Sequence, residues 1–308
     1  MEAALLFKVF LLAIIQGIAE FLPISSSGHL LVLGRLFEIP DAFLLAILLH
    51  LGTLFSIIVF FSRRIGEVLT SQWRVVGLVI VGSIPTVAIA IAVRTYLPQL
   101  EASRLTTGVC FLITALLLLT IMRRHSLTES EEYYEKLAYE DEGVEAPEIK
   151  TSENTTFWDA IVIGIAQGFA VLPGLSRSGA TISTGVKRRL RNEWAAEFSF
   201  YLSIPVILGG AALEILDEIN EVGFENVSTL FTSDSMVLLY LVGAMVAFAV
   251  GWVSLFYLMN MLKAGKLHYF AYWLFIVGIA TIAWTCYDHW DAVKQIVETG
   301  INLTQKAS

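Results

Sequence analysis

Between Arg74 and Arg94, and again between Arg104 and Arg123, the chain runs without one charged side chain. A bilayer core is about 30 Å thick, so a crossing helix needs about 20 mostly apolar residues. A helix also satisfies every backbone N–H and C=O within itself, as lipid demands. The same test applied along the chain predicts six spans, at roughly 42–62, 74–93, 105–122, 195–216, 235–260 and 269–287. Charged residues make up 16% of the 308 positions, against about 25% in a soluble domain. They gather at the ends of the apolar runs, so the expected class is an all-α integral membrane protein.

Two other apolar segments, 3–37 and 157–186, are interrupted. Each breaks at a proline, Pro23 or Pro173, passes through a Ser/Gly cluster and becomes apolar again. A backbone break at membrane depth is tolerated only where protein or water covers it. Both segments are therefore predicted to be re-entrant helix–loop–helix elements.

The two breaks resemble each other. Gln16 to Gly28 reads QGIAEFLPISSSG and Gln167 to Gly179 reads QGFAVLPGLSRSG. Gln, Gly, Ala, two Ser and the final Gly fall at the same offsets, and Leu-Pro is displaced by one. Each element is followed by three spans. Three crossings reverse the side from which the second copy enters, which makes the repeat an inverted one. Such repeats place a binding site near the midplane, where broken helices meet. The expected organisation is a first repeat at 1–124, an acidic loop at 125–156 and a second repeat at 157–308.

The net charge is −8, but ten carboxylates lie between Glu129 and Glu153. This reads as a solvated connection, and nothing in the charge pattern suggests nucleic acid. Thirteen Lys and Arg fall on the face holding Arg63, Arg74, Lys187 and Lys263, and five on the other. The positive-inside rule makes the richer face cytoplasmic. Both termini are then expected outside and the acidic loop inside. Cys110 and Cys286 lie in apolar runs without metal-ligand spacing and read as packing residues. The first fifteen residues lack a basic start and a small-residue cleavage site, so they are expected to belong to the mature fold rather than to a signal peptide.

Each break offers hydroxyls and backbone N–H groups at the start of a helix. Ser25, Ser26, Ser27, Gly28 and His29 lie at the first, and Ser176, Arg177, Ser178, Gly179 and Thr181 at the second. Helix N-termini carry free donors and partial positive charge, which suits phosphate. Arg177 adds a permanent fork-shaped cation, and an arginine inside a membrane element is costly enough to imply function. Glu20 is the second intramembrane charge. Beside a phosphate it would have to bind a metal, pair with arginine or handle protons. His29 shares a helix face with Ser25 and Ser26 and could serve as a general base. Gln16 and Gln167 open the two motifs. His50, in His50-Leu51-Gly52-Thr53, could line the same site.

Gln16 to Leu30 and Pro173 to Ile182 resemble the two signature motifs of the bacitracin-resistance type of undecaprenyl-diphosphate phosphatase. HLGT at 50–53 and EFSFYLSIP at 197–205 resemble further segments of that family, so the resemblance covers nearly the whole chain. It implies a multi-pass enzyme of the cell membrane that converts undecaprenyl diphosphate to the monophosphate and inorganic phosphate. That reaction recycles a carrier lipid for cell-envelope glycan synthesis. It implies a divalent cation, Mg²⁺ or Ca²⁺. Glu20 matches a catalytic, metal-associated glutamate, Ser26 the nucleophile, His29 its histidine and Arg177 the phosphate-binding arginine. The remaining hydroxyls and glycines at the breaks, with Gln16 and Gln167, would surround the phosphates. Gln16 stands where the family usually carries a second glutamate, which removes a charge from the metal site. Attack by Ser26 and attack by activated water are both compatible with the match. A polyprenyl-phosphate flippase built on the same inverted repeat is the competing expectation. The sequence leaves oligomeric state open, with a homodimer among the options.

Overall fold

The computed structural model describes residues 2–37, 42–122, 149–223 and 234–307. Most of the acidic loop lies outside the described residues. The described chain is helical, with one isolated bridge between Lys150 and Leu190.

The elements in chain order are α1 (Glu2–Ala19), α2 (Ser26–Phe37), α3 (Ala42–Phe60), α4 (Ser62–Ser71), α5 (Trp73–Tyr96), α6 (Pro98–Glu101) and α7 (Arg104–Met122). The second half holds α8 (Phe157–Phe169), α9 (Arg177–Lys187), α10 (Asn192–Val222), α11 (Asp234–Lys263) and α12 (His268–Ala307). Five helices, α5, α7, α10, α11 and α12, are long and apolar enough to cross a membrane. Together, α3 and α4 meet the same test as a pair, but they bend by 71° where they join. The sequence reading located these five helices and the apolar run of α3, which it ended at 62 beside the bend, but it did not show that α4 follows as a separate helix. It also missed that the last helix continues as far as Ala307, well beyond its apolar part, which ends at Asp288.

The surface is apolar where a soluble protein would be polar. On α5, Ile80, Ile84, Val87 and Ile91 face outward, while Leu78, Gly82 and Thr86 are buried. This outward apolar stripe suits lipid, since a helix that is apolar all round must lie in a core or a membrane. The polar side chains turn inward instead, among them Thr53, Ser56, Thr114, Ser199 and Ser203. Several of these hydroxyls bond backbone carbonyls, as Ser56 does to Phe248 at 2.8 Å, and buried Thr86 likewise bonds Gly164 at 2.8 Å. In lipid such bonds tie helices together where apolar attraction between them is weak.

The two interrupted segments fold as helix–break–helix, with breaks at Glu20–Ser25 and Ala170–Ser176. α1 packs on α11 and α8 packs on α5, so each leading arm lies against a helix from the other half of the chain. α3 packs on α11, and α7 pairs with α12. This exchange brings the two breaks against each other in the interior.

Candidate active site

The two breaks are built alike. Ser25 Oγ accepts from the Gly28 N–H at 3.3 Å and lies 3.4 Å from Ser27 Oγ. Ser176 Oγ accepts from the Gly179 N–H at 3.1 Å and lies 3.2 Å from Ser178 Oγ. Each serine thus caps the helix that follows, filling one of its orphan donors. Ser25 does so from a left-handed backbone, with φ of 67°. That conformation is uncommon outside glycine and worth about 1–3 kcal/mol of strain.

The breaks then interlock. Ser25 Oγ also accepts from the Gly174 N–H at 3.1 Å, and Ser178 Oγ donates to the Leu22 carbonyl at 3.4 Å. Thr114 of α7 completes the junction by accepting from the Ser176 N–H at 3.0 Å and donating to the Gly174 carbonyl at 3.1 Å. Gly28 is required here: a Cβ on it would lie 2.6 Å from Phe111 and 2.7 Å from the Gly174 nitrogen.

This junction sets Glu20 opposite Arg177. Arg177 Nη2 donates to Glu20 Oε1 at 2.7 Å, and both side chains are largely buried. The other carboxylate oxygen accepts from Ser26 Oγ at 2.6 Å and from the Gln16 amide at 3.0 Å. A buried charge is tolerated only when paired and hydrogen-bonded, and Glu20 has both forms of support. Arg177 Nη1 and Gln16 Oε1 are buried with no partner in the protein.

His50 belongs to the same cluster. Its Nδ1 lies 2.8 Å from the Ala46 carbonyl, which can only accept, so Nδ1 carries the hydrogen. Nε2 then faces Glu20 Oε2 at 3.9 Å. The sequence had placed His50 at the edge of consideration, and the fold brings it to the central carboxylate.

His29 is placed differently from the expectation that it would face Ser26. Its Nδ1 is 2.8 Å from the Ser25 carbonyl, and its Nε2 accepts from the Trp273 indole at 3.2 Å. The ring stacks on Trp273 at 6.2 Å and meets Phe111 edge-on at 5.1 Å. Trp273 comes from α12, and no motif in the sequence announced it. Thr181 bonds the Arg177 carbonyl at 2.8 Å and Ser199 at 2.5 Å, which supports α9 from behind. Gln167 turns away from the charged pair: its amide donates to the Leu202 carbonyl at 3.3 Å, and its Oε1 is buried without a partner.

Among the described residues, no group of three or more His, Cys, Asp or Glu could hold a metal ion. A shared site is nevertheless compatible with the residues present. Mg²⁺ is usually held by one or two carboxylates plus substrate phosphates, and Glu20 with the unpartnered Gln16 Oε1 would supply the protein's share.

A multi-helix membrane protein with a buried carboxylate–guanidinium site, formed where two broken helices meet, is the class that the fold and the site define. The chain belongs to the bacitracin resistance protein BacA family, whose model matches residues 9–280. It is similar to the undecaprenyl-diphosphatase of Rhodopirellula baltica, 38% identical over 90% of this chain and 97% of the relative. It is also similar to those of Carboxydothermus hydrogenoformans, at 36% over 90% and 96%, and Methanosphaera stadtmanae, at 33% over 89% and 96%.

Proposed function

We infer that the chain is an undecaprenyl-diphosphate phosphatase, a membrane hydrolase that removes the terminal phosphate of the lipid diphosphate. Family membership carries the reaction, and the Ser26–Glu20–Arg177 chain of bonds, at 2.6 and 2.7 Å, carries the chemistry. The flippase reading is not favoured, since the relatives are named for hydrolysis.

In the proposed reaction Arg177 and the N–H groups at the start of α9 bind the terminal phosphate. The unpartnered Nη1 supplies a donor already desolvated and waiting. Preorganised donors of this kind are a large source of transition-state stabilisation. Ser26 Oγ attacks the terminal phosphorus and passes its proton to Glu20. The bond from that phosphorus to the bridging oxygen breaks, releasing the polyprenyl monophosphate. Water then cleaves the phosphoserine to inorganic phosphate. Glu20 is assigned as the base because Ser26 already donates to it. His29, held through Trp273, is assigned to the water of the second step and must leave the indole to act. When bound, Mg²⁺ or Ca²⁺ would offset negative charge on the phosphates, with Glu20 and Gln16 as its protein donors.

Two observations support an inverted repeat of six spans and two re-entrant elements. The caps at Ser25 and Ser176 match atom for atom, and α1 on α11 mirrors α8 on α5. On this reading the repeats are 1–124 and 157–308, with the 125–156 loop cytoplasmic and the termini outside. The deciding assay is phosphate release from a long polyprenyl diphosphate in detergent, with Mg²⁺ or Ca²⁺ and then with EDTA. Release that stops with EDTA supports the reading. No release from well-folded protein that still binds the lipid would overturn it.

A further inference from the structure

The charge balance at Glu20 sets a condition on how a divalent cation can enter, given the phosphatase reading above. Glu20 brings one negative charge, and Arg177 cancels it at 2.7 Å. Its second oxygen is already engaged by Ser26 and Gln16. Gln16 offers an unpartnered carbonyl oxygen, but that oxygen is neutral. A dication placed beside Glu20 in this state would meet the guanidinium with no excess negative charge to hold it. At such distances in a partly buried site, like charges repel strongly.

A diphosphate changes this balance. Arg177 uses Nη2 on Glu20 and keeps Nη1 buried and unpartnered. A planar fork of donors binds two phosphate oxygens better than it binds one carboxylate oxygen. As Arg177 turns to the phosphates, Glu20 Oε1 loses its partner and its charge is no longer cancelled. Glu20, Gln16 Oε1 and the phosphate oxygens then form the all-oxygen set that hard cations prefer.

We propose that this chain takes up its divalent cation only together with the diphosphate headgroup, and that the Glu20–Arg177 ion pair is the latch that keeps the cation out of the unliganded protein. The cation–diphosphate complex is then the species that the site recognises. No covalent bond changes in this step.

The test uses Mn²⁺ as the probe and the full chain in detergent. Free Mn²⁺ is followed by its paramagnetic resonance signal, with and without a polyprenyl methylenediphosphonate, whose P–C–P bridge cannot be hydrolysed. Binding of that analogue is measured separately in metal-free buffer. The wild type alone should leave the Mn²⁺ signal unchanged. With the analogue, about one equivalent should disappear beyond what the analogue removes in empty micelles. Gln16→Glu, which adds a charge at the latch, should bind Mn²⁺ without the analogue, at least about tenfold more tightly than wild type. Wild-type protein that holds Mn²⁺ equally well with and without bound analogue would overturn the latch while leaving the phosphatase reading intact. An analogue that binds neither in metal-free buffer nor with Mn²⁺ present would overturn both.

Discussion

Ser26 and Arg177 hold opposite oxygens of one carboxylate, at 2.6 and 2.7 Å. They also occupy the same place in the two motifs, the tenth position after Gln16 and Gln167. One repeat thus supplies a hydroxyl and the other a cation at equivalent helix starts. The interlocked breaks turn that sequence symmetry into a site with two different sides, as attack on a bound phosphate requires.

Arg177→Lys should keep the fold and lose most of the activity. Lysine retains the charge that Glu20 needs but cannot present a fork of donors. Loss of one preorganised donor typically costs about 100- to 1,000-fold in kcat. Arg177→Ala should in addition lower the melting temperature in detergent, because it leaves Glu20 buried and unpaired at a cost of about 3–5 kcal/mol. Near wild-type kcat in Arg177→Lys would remove the fork from the mechanism.

Ser26→Ala separates attack by serine from attack by water. If Ser26 is the nucleophile, the variant loses phosphate release and no phosphoserine can be trapped by acid quench and mass spectrometry. Retention of more than about a tenth of the wild-type rate would assign the attack to water, with Glu20 still available as base.

Gly28→Ala should spread the two breaks apart. The added methyl would stand 2.6 Å from Phe111 and 2.7 Å from the Gly174 nitrogen, and overpacking of this kind costs about 1–3 kcal/mol. Both a lower melting temperature and a lower kcat are expected, since the same contact aligns Ser26 with Arg177. A variant with unchanged melting and unchanged rate would show that the junction can relax without moving the site.

Trp273→Phe tests how His29 is held. Phenylalanine keeps a ring for stacking but loses the indole N–H that bonds Nε2 at 3.2 Å. Phosphate release should fall less than about tenfold, whereas His29→Ala should cost about 100-fold or more if the imidazole moves a proton. Equal losses in both variants would make the indole bond as important as the imidazole itself.

Much of this molecule was legible because the signals are local. Hydrophobic length marks a membrane helix within its own segment, so all six apolar runs emerged close to their observed limits. Pro23 and Pro173 with their Ser/Gly clusters marked both breaks, because helix breakers and caps act over a few residues. Intramembrane charge singled out Glu20 and Arg177, since lipid makes any such group expensive. What the tertiary structure alone decided is which of these groups meet. Among the described residues the seven helices α2 to α8 separate Glu20 from Arg177 along the chain, and their contact arises only because the breaks interlock through Ser25 and Gly174. His50 reaches Glu20, Trp273 reaches His29, and Gln167 turns to Leu202 despite matching Gln16 in its motif. Each of these is a contact between distant segments, set by how helices from the two halves exchange partners, and no local periodicity encodes it. The 71° bend between α3 and α4 falls at Phe61, where the apolar run gives way to Arg63 and Arg64; composition marks the end of the run there, but not that a second helix follows at an angle to it.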